Sequence, residues 1–281
     1  MANGLTSGGL SYRSQRMGAV PFLKWAGGKR WLFTADLVRS LPEHKRYVEP
    51  FLGGGAGFFA LQPCQAVISD CNPDLIELYQ VVRAAPIELA RALRDHHESH
   101  SEDYYYRMRG FVPDAPLERA ARLLYLNRTC WNGLYRLNRR GEFNVPIGSK
   151  TAVFLDENEF VLHSKLLSKA DIYACDFEET VERAGRGDLV FLDPPYTVKH
   201  NMNGFVKYNE SIFSWEDQVR LRDAAVRARS RGANIMVTNA DHASIREIYS
   251  GFGVHHTVNR ASVISGKATG RSKTTELMVV A

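Results

Sequence analysis

The chain has 281 residues, 44% of them hydrophobic and 24% charged, a balance that excludes wholesale disorder and allows one large core or two modest ones. A formal net charge of +5 and a pI near 9.0 suit a polyanionic partner without requiring one. Cys64, Cys71, Cys130 and Cys175 form no C-x-x-C pair, which argues against a disulfide framework or zinc site and for a reduced, cytoplasmic setting.

Residues 1–20 contain Gly and Ser without an apolar run, so they read as a flexible lead and not a secretion signal; no later stretch is apolar for long enough to cross a bilayer. The first informative stretch is Pro21-Phe-Leu-Lys-Trp-Ala-Gly-Gly-Lys-Arg30, with a turn at Gly27-Gly28 where backbone approaches a ligand closely, flanked by Lys24, Trp25 and Lys29. It is not a Walker A loop, because Leu23 and Arg30 stand where that motif needs Gly and Ser or Thr. Tyr47 to Ala60 predicts a short strand through Glu49, a turn after Phe51 rich in glycine (Gly53, Gly55), and an apolar helix whose N terminus suits a nucleotide-like ligand. About twenty residues on, the strand from Ala66 ends at Asp70, placed like the acid that binds ribose hydroxyls in dinucleotide-binding folds. An adenosine-containing cofactor is expected, although the spacing Gly53, Gly55, Gly57 departs from the nicotinamide fingerprint. Cys64 follows a proline, as the nucleophile of cytosine-C5 methyltransferases does, but no partner motif accompanies it and it reads as a turn cysteine.

From Asn72 to about Phe160 strand signals vanish. Helices are predicted over 72–84, from Pro86 toward Ser99, and along the stripe Leu117, Ala120, Ala121, Leu124. His96, His97 and His100 have a metal-like spacing but lie among Arg94, Asp95 and Glu98, and read as a solvated helix face. The stretch 127–150 interleaves Arg128, Arg136, Arg139, Arg140 and Lys150 with Trp131, Tyr135 and Phe143, adds Asn132, Leu134, Asn138 and Pro146, and shows little helical period. Exposed guanidinium and amide groups beside wedge-like aromatics suit base-edge reading and unstacking. The plainer alternative is a structural loop whose aromatics are core.

The alternating pattern resumes after Asp156. Lys169 to Asp176 predicts a strand ending at Asp176-Phe177, an adenine-contacting pair at the sheet edge, and Asp188 to Leu192 predicts a buried parallel strand that delivers Asp193 to the same edge. In Asp193-Pro194-Pro195-Tyr196 the prolines fix φ and remove two donors, leaving the Asp193 carboxylate beside the Pro194 carbonyl as a rigid acceptor. Such a pair takes both hydrogens of a planar exocyclic amine, while the Tyr196 ring offers a stacking face; a plain Pro-rich turn is the alternative. Thr197 to Phe213 is a long polar loop of the kind that forms lids. Ser214 to Asp217 predicts a capping box for a helix reaching Arg231, followed by a strand over 233–238 and a helix near 242–250. Final strands near 254–258 and 276–280 flank a loop from Arg260 to Lys273; its Lys267, Arg271 and Lys273 either grip phosphates or belong to a solvated hairpin.

Phe22-Leu-Lys-Trp-Ala-Gly-Gly-Lys29, Glu49-Pro-Phe-Leu-Gly-Gly-Gly55, Gly141-Glu-Phe-Asn-Val-Pro146 and Asp193-Pro-Pro-Tyr196, in that order, resemble the Dam-type (alpha-group) DNA N6-adenine methyltransferases from roughly Pro21 to the C terminus. The resemblance implies an α/β, Rossmann-like methyltransferase sheet (21–75 and 161–281) with an inserted, mainly helical DNA-recognition domain (76–160). It implies S-adenosylmethionine as cofactor, double-stranded DNA as partner, no metal, and direct transfer of a methyl group to N6 of a flipped adenine. It places Trp25, Lys29, Asp70 and Asp193 in the cofactor pocket, Asp193 to Tyr196 on the adenine, and Lys24, Trp131, Asn132, Leu134, Arg136 and Pro146 on DNA. A cognate restriction endonuclease is a further partner such enzymes have. Ser149-Lys150 departs from the basic residue and Tyr that many GATC-recognising members carry. The rival readings are an RNA or other exocyclic-amine methyltransferase, whose relatives typically show Asn in place of Asp193, and a nicotinamide-dependent oxidoreductase, which leaves the Pro-Pro acceptor idle.

Overall fold

The computed structural model describes residues 19–138, 140–153, 156–198, 213–261 and 273–281. Among these, seven strands form one sheet: β1 (Arg46–Glu49), β2 (Ala66–Asp70), β3 (Ala170–Ala174), β4 (Asp188–Leu192), β5 (Asn234–Ala240), β6 (Val254–Ala261) and β7 (Lys273–Val280), in the order β3-β2-β1-β4-β5-β7-β6. β1 to β5 are parallel, and β7 runs antiparallel between β5 and β6. The chain walks outward from β1 to β3 and returns to place β4 against the other side of β1. That reversal opens a crevice at the carboxyl ends of β1 and β4, where open α/β sheets bind ligands.

Both faces of the sheet are covered, which is why its central strands read as continuous apolar runs. Along β4 the side chains alternate between two cores: Leu189 and Phe191 join one, Val190 and Leu192 the other. The second core is closed by α8 (Phe177–Val181), α9 (Trp215–Ser230) and α10 (Ala243–Ile248). On the first lie α1 (Ala35–Ser40), α2 (Ala56–Leu61), α3 (Pro73–Ala84), α4 (Pro86–Glu98), α5 (Glu102–Gly110), α6 (Pro116–Thr129) and α7 (Glu157–Leu167). Leu75, Leu89, Tyr105 and Leu124 of the helical segment belong to the same cluster as Ile68 and Phe191 of the sheet, so these helices extend the core on that face of the sheet.

Helix starts follow the local chemistry. Asn72 accepts from the Asp74 and Leu75 backbone N–H groups ahead of Pro73, and Ser214 and Asp217 make the reciprocal capping box of α9. α5 was not legible as a helix: its buried face is one residue, Tyr105, too little for a periodic stripe, and the Ser101 cap on Tyr104 N–H and tertiary packing establish it.

Two expectations are corrected. His96 and His100 do not form a solvated face: His96 stacks on Tyr125 at 4.8 Å and bonds the Tyr104 hydroxyl at 2.7 Å, while His100 bonds the Tyr125 hydroxyl at 3.0 Å. No metal-holding group of His, Cys, Asp or Glu occurs among the described residues. The last hairpin pairs further than its apolar residues indicate, matching Arg260 with Thr274 and Ala261 with Lys273, so Arg260 and Lys273 stand on strands and not in the loop. Lys267, Arg271, Arg139 and residues 199–212, most of the stretch expected as a lid, lie outside the described residues.

Candidate active site

β4 is buried along its whole length and ends by delivering Asp193 into the crevice. Lys29 Nζ lies 2.9 Å from Asp193 Oδ1, and Thr238 Oγ1 on β5 donates to the same oxygen at 2.8 Å. Both contacts fall on Oδ1; among the described residues Oδ2 takes no hydrogen bond. Burial pushes the Asp193 carboxyl above the usual carboxylate range, with Lys29 and Thr238 opposing the rise. Lys29, 2% exposed, also donates to the Gly27 carbonyl at 2.9 Å and lies 3.7 Å from Glu276 Oε2 and 4.7 Å from the centre of the Tyr196 ring. Glu276 in turn accepts the Tyr196 hydroxyl at 2.7 Å. With both carboxylates ionised, two acids share one ammonium.

The glycine turn after β1 is strapped to β2. Asp70 accepts the Gly53 N–H on one oxygen and the Asn72 N–H on the other, each at 3.0 Å, and the Tyr79 hydroxyl holds the Gly53 carbonyl at 2.9 Å. Gly53 has φ +47, and a Cβ there would lie 2.7 Å from Trp25 Cδ1, so only glycine lets the turn close against that indole. Trp25 stacks on its far side against Tyr135 at 5.1 Å. Glu49, 2% exposed, accepts the Phe58 N–H at the start of α2 at 3.1 Å. Burial raises its carboxyl from 4.5 to about 8, with Asp193 and Asp70 adding to the rise. A carboxyl raised on folding supports the fold below its unfolded value and loses that support as pH climbs toward the folded one, because the unfolded chain releases the proton first. Urea midpoints of the wild type are therefore expected to fall from pH 4.5 to about 8 relative to Glu49→Gln, which should be flatter; parallel curves would refute a neutral Glu49.

At the end of β3, Phe51 stacks on Phe177 at 5.4 Å and Phe213 packs edge-on against Phe51 at 5.6 Å. Asp176 caps α8 through the Glu178 N–H, and Arg220 of α9 grips both its oxygens, at 2.9 and 3.0 Å. The Asp176-Phe177 corner is thus a braced wall, and Arg220, which no sequence signal marked, is its brace.

The stretch 127–150 is organised by Asn127. Its side chain pairs with both backbone groups of Lys24, at 3.0 and 2.8 Å, and donates to the Gly133 carbonyl at 3.2 Å, docking the turn Trp131–Gly133 against the first motif. Trp131 and Leu134 are exposed, Asn132 adopts φ 56, and the Trp131 N–H bonds the Pro146 carbonyl at 2.9 Å. Bridges between Cys130 and Ile147 and between Leu137 and Phe143 close the stretch into an irregular hairpin. Arg136, exposed on it, is held by Nε on Asn144 Oδ1 at 2.8 Å. Lys150 stands beside Lys24, and that second ammonium together with partial burial holds Lys24 below the ordinary lysine range.

Several expected DNA-facing groups point elsewhere. Arg128 is partly buried and donates to the Phe22 carbonyl at 3.3 Å, because the last turn of α6 packs onto the first motif. Asn138 stays half-exposed at the surface while its side-chain oxygen closes the turn, accepting from the Arg140 and Glu142 N–H groups. Phe143 is core, and Tyr135 lies between Trp25 and Phe143 with its hydroxyl on Asp74 at 3.2 Å. The sequence reading also missed Thr238 and Glu276, which sit in stretches that read as plain strand. The available signal was a lone acid, Glu276, opening an otherwise apolar run.

The model of the family described as D12 class N6 adenine-specific DNA methyltransferase matches residues 25–263. The chain is 37% identical over 268 residues to the type II methyltransferase M1.LlaDCHI of Lactococcus lactis subsp. cremoris, covering 92% of this chain and 94% of that protein. It is 34% identical over 263 residues to a DNA adenine methylase of Salmonella typhi, again covering 92% and 94%. It is 39% identical over 248 residues to the DNA N-6-adenine-methyltransferase of Escherichia phage P1, of which it spans 32%.

Proposed function

Because the chain belongs to the D12 class of N6 adenine-specific DNA methyltransferases, with DNA as substrate and a methyl donor of the S-adenosylmethionine type, we propose that it flips an adenine from a specific short duplex sequence and methylates it by direct transfer. The observation that carries the mechanism is the one-sided ligation of Asp193: Lys29 and Thr238 take Oδ1, which leaves Oδ2 open among the described residues, and we assign Oδ2 and the carbonyl of the next residue, Pro194, to the two hydrogens of an exocyclic amine.

The crevice suits the donor in charge and shape. Asp70, Asp193 and Glu276 stand there against Lys29, a balance that favours a cationic sulfonium; Phe51, backed by Phe177, offers an aromatic face for an adenine, with Asp176 nearby. Glu49 and Asp70 would hold its polar groups, and Trp25, Gly53 and Gly55 the turn it lies on. When bound, the donor supplies an electrophilic methyl group.

The protein's part is orientation. The adenine N6 lone pair is conjugated with the ring; hydrogen bonds to Asp193 Oδ2 and the Pro194 carbonyl localise it on nitrogen and aim it. As N6 takes the methyl group, the methyl–sulfur bond would break with its electron pair left on the donor sulfur; positive charge develops on N6, and the ionised Asp193 stabilises that charge and accepts the surplus proton. No covalent enzyme intermediate is required. Tyr196 supplies the stacking face: Tyr196→Phe should retain most activity while Tyr196→Ala loses far more, and equal losses would shift the role to the hydroxyl. Trp131 and Leu134 are wedges for the vacated stack, with Lys24, Asn132, Arg136, Pro146 and Lys150 around them. Methylation-sensitive sequencing of DNA from a methylase-free host expressing the chain tests the proposal. N6-methyladenine confined to one short motif is expected; methylation of cytosine, of RNA alone, or of no nucleic acid would overturn it.

A further inference from the structure

The Asp193-Pro194-Pro195-Tyr196 turn presents two neighbouring proline carbonyls, and neither proline has an N–H to engage them. One carbonyl is already occupied. Gln218 of α9, fully buried, donates from Nε2 to the Pro195 oxygen at 3.2 Å. Gln218 Oε1 accepts from Asn239 Nδ2 on β5 at 2.9 Å, and Asn239 Oδ1 accepts the Ala240 backbone N–H at 2.8 Å. That backbone N–H is an unambiguous donor, so it sets both amides: Asn239 shows its oxygen to Ala240 and its nitrogen to Gln218, and Gln218 shows its nitrogen to Pro195. Gln218 is 0% and Asn239 1% exposed, so water does not compete for either.

We propose that Gln218, oriented by Asn239, is a positioning residue for methyl transfer. It occupies the Pro195 carbonyl and fixes the peptide plane between Pro195 and Tyr196, so that, among the hydrogen bonds of the described residues, the Pro194 carbonyl is the one of the pair left open to the amine. The role rests on the assignment of this turn as the amine-holding site. An amine captured by the wrong carbonyl is still bound, but its lone pair is misdirected; the cost falls on rate and not on affinity.

Gln218→Met keeps the volume and removes the donor. Single-turnover methylation of an adenine-containing duplex should slow roughly 10- to 100-fold, while the Kd for DNA and thermal protection by S-adenosylhomocysteine stay near wild type. Gln218→Glu adds a readout that a merely structural role would not move. When protonated, the introduced carboxyl donates to Pro195 and accepts from Asn239, whereas the ionised form has no donor, so the rate of Gln218→Glu should approach wild type at low pH and fall as pH rises. An unchanged rate in Gln218→Met overturns the proposal. So does a joint loss of rate, DNA affinity and cofactor protection with no recovery of Gln218→Glu at low pH. The wild-type arm isolates the underlying assignment: if it transfers no methyl to N6, the turn is not the amine-holding site and the positioning role falls with it.

Discussion

Replacing Asp193 with Asn is expected to lower the single-turnover methylation rate by about 10³-fold, the scale seen when one preorganised electrostatic contact is removed from a transition state. The substitution keeps the volume and leaves a carbonyl oxygen for Lys29 and Thr238, which now meet on Oδ1. What it removes is the second acceptor and the negative charge: an amide NH₂ would face the adenine NH₂, donor against donor. Asp193→Ala should be equally inactive but less stable, because Lys29, 2% exposed, would keep Glu276 alone as a carboxylate partner among the described residues, and breaking a buried pair costs about 3–5 kcal/mol. DNA affinity should survive in Asp193→Asn, since phosphate contacts dominate binding. Substantial turnover of Asp193→Asn with saturating cofactor would refute the role given to the carboxylate.

The second large effect concerns specificity. Arg136 is exposed on the hairpin that Trp131 and Pro146 close, and Asn144 fixes its guanidinium, so little side-chain freedom remains to be lost when it meets a base edge. A bidentate arginine contributes about 1–3 kcal/mol of discrimination against the wrong base, and Arg136→Ala should give up that amount at one position of the site. Lys273, the first residue of β7, serves as the contrast. If it grips a phosphate, Lys273→Ala weakens binding to all sequences alike and lowers the salt slope by about one. Methylation of the cognate duplex and of duplexes altered at single base pairs, across a salt series, measures both. A common loss on every duplex in Arg136→Ala would reduce Arg136 to a backbone contact.

Features written in consecutive residues were legible before any fold was known. The apolar run from Asp188 to Leu192 and the prolines after it dictate a buried strand and a rigid acceptor, because burial and fixed φ are local properties; the glycine turn, Asp70 and the caps at Asn72 and Ser214 are local in the same way. The same holds for the order of motifs, and so for the family. Which groups meet was settled by tertiary packing. Thr238, Glu276 and Gln218 reach the turn from β5, β7 and α9, and their side chains look ordinary in sequence because a buried polar residue is identified by its partner and not by its neighbours in the chain. The same physics turned Arg128 and Phe143 inward: a basic and aromatic stretch specifies what is available for recognition, while packing of α6 and closure of the hairpin decide which of those side chains remain exposed.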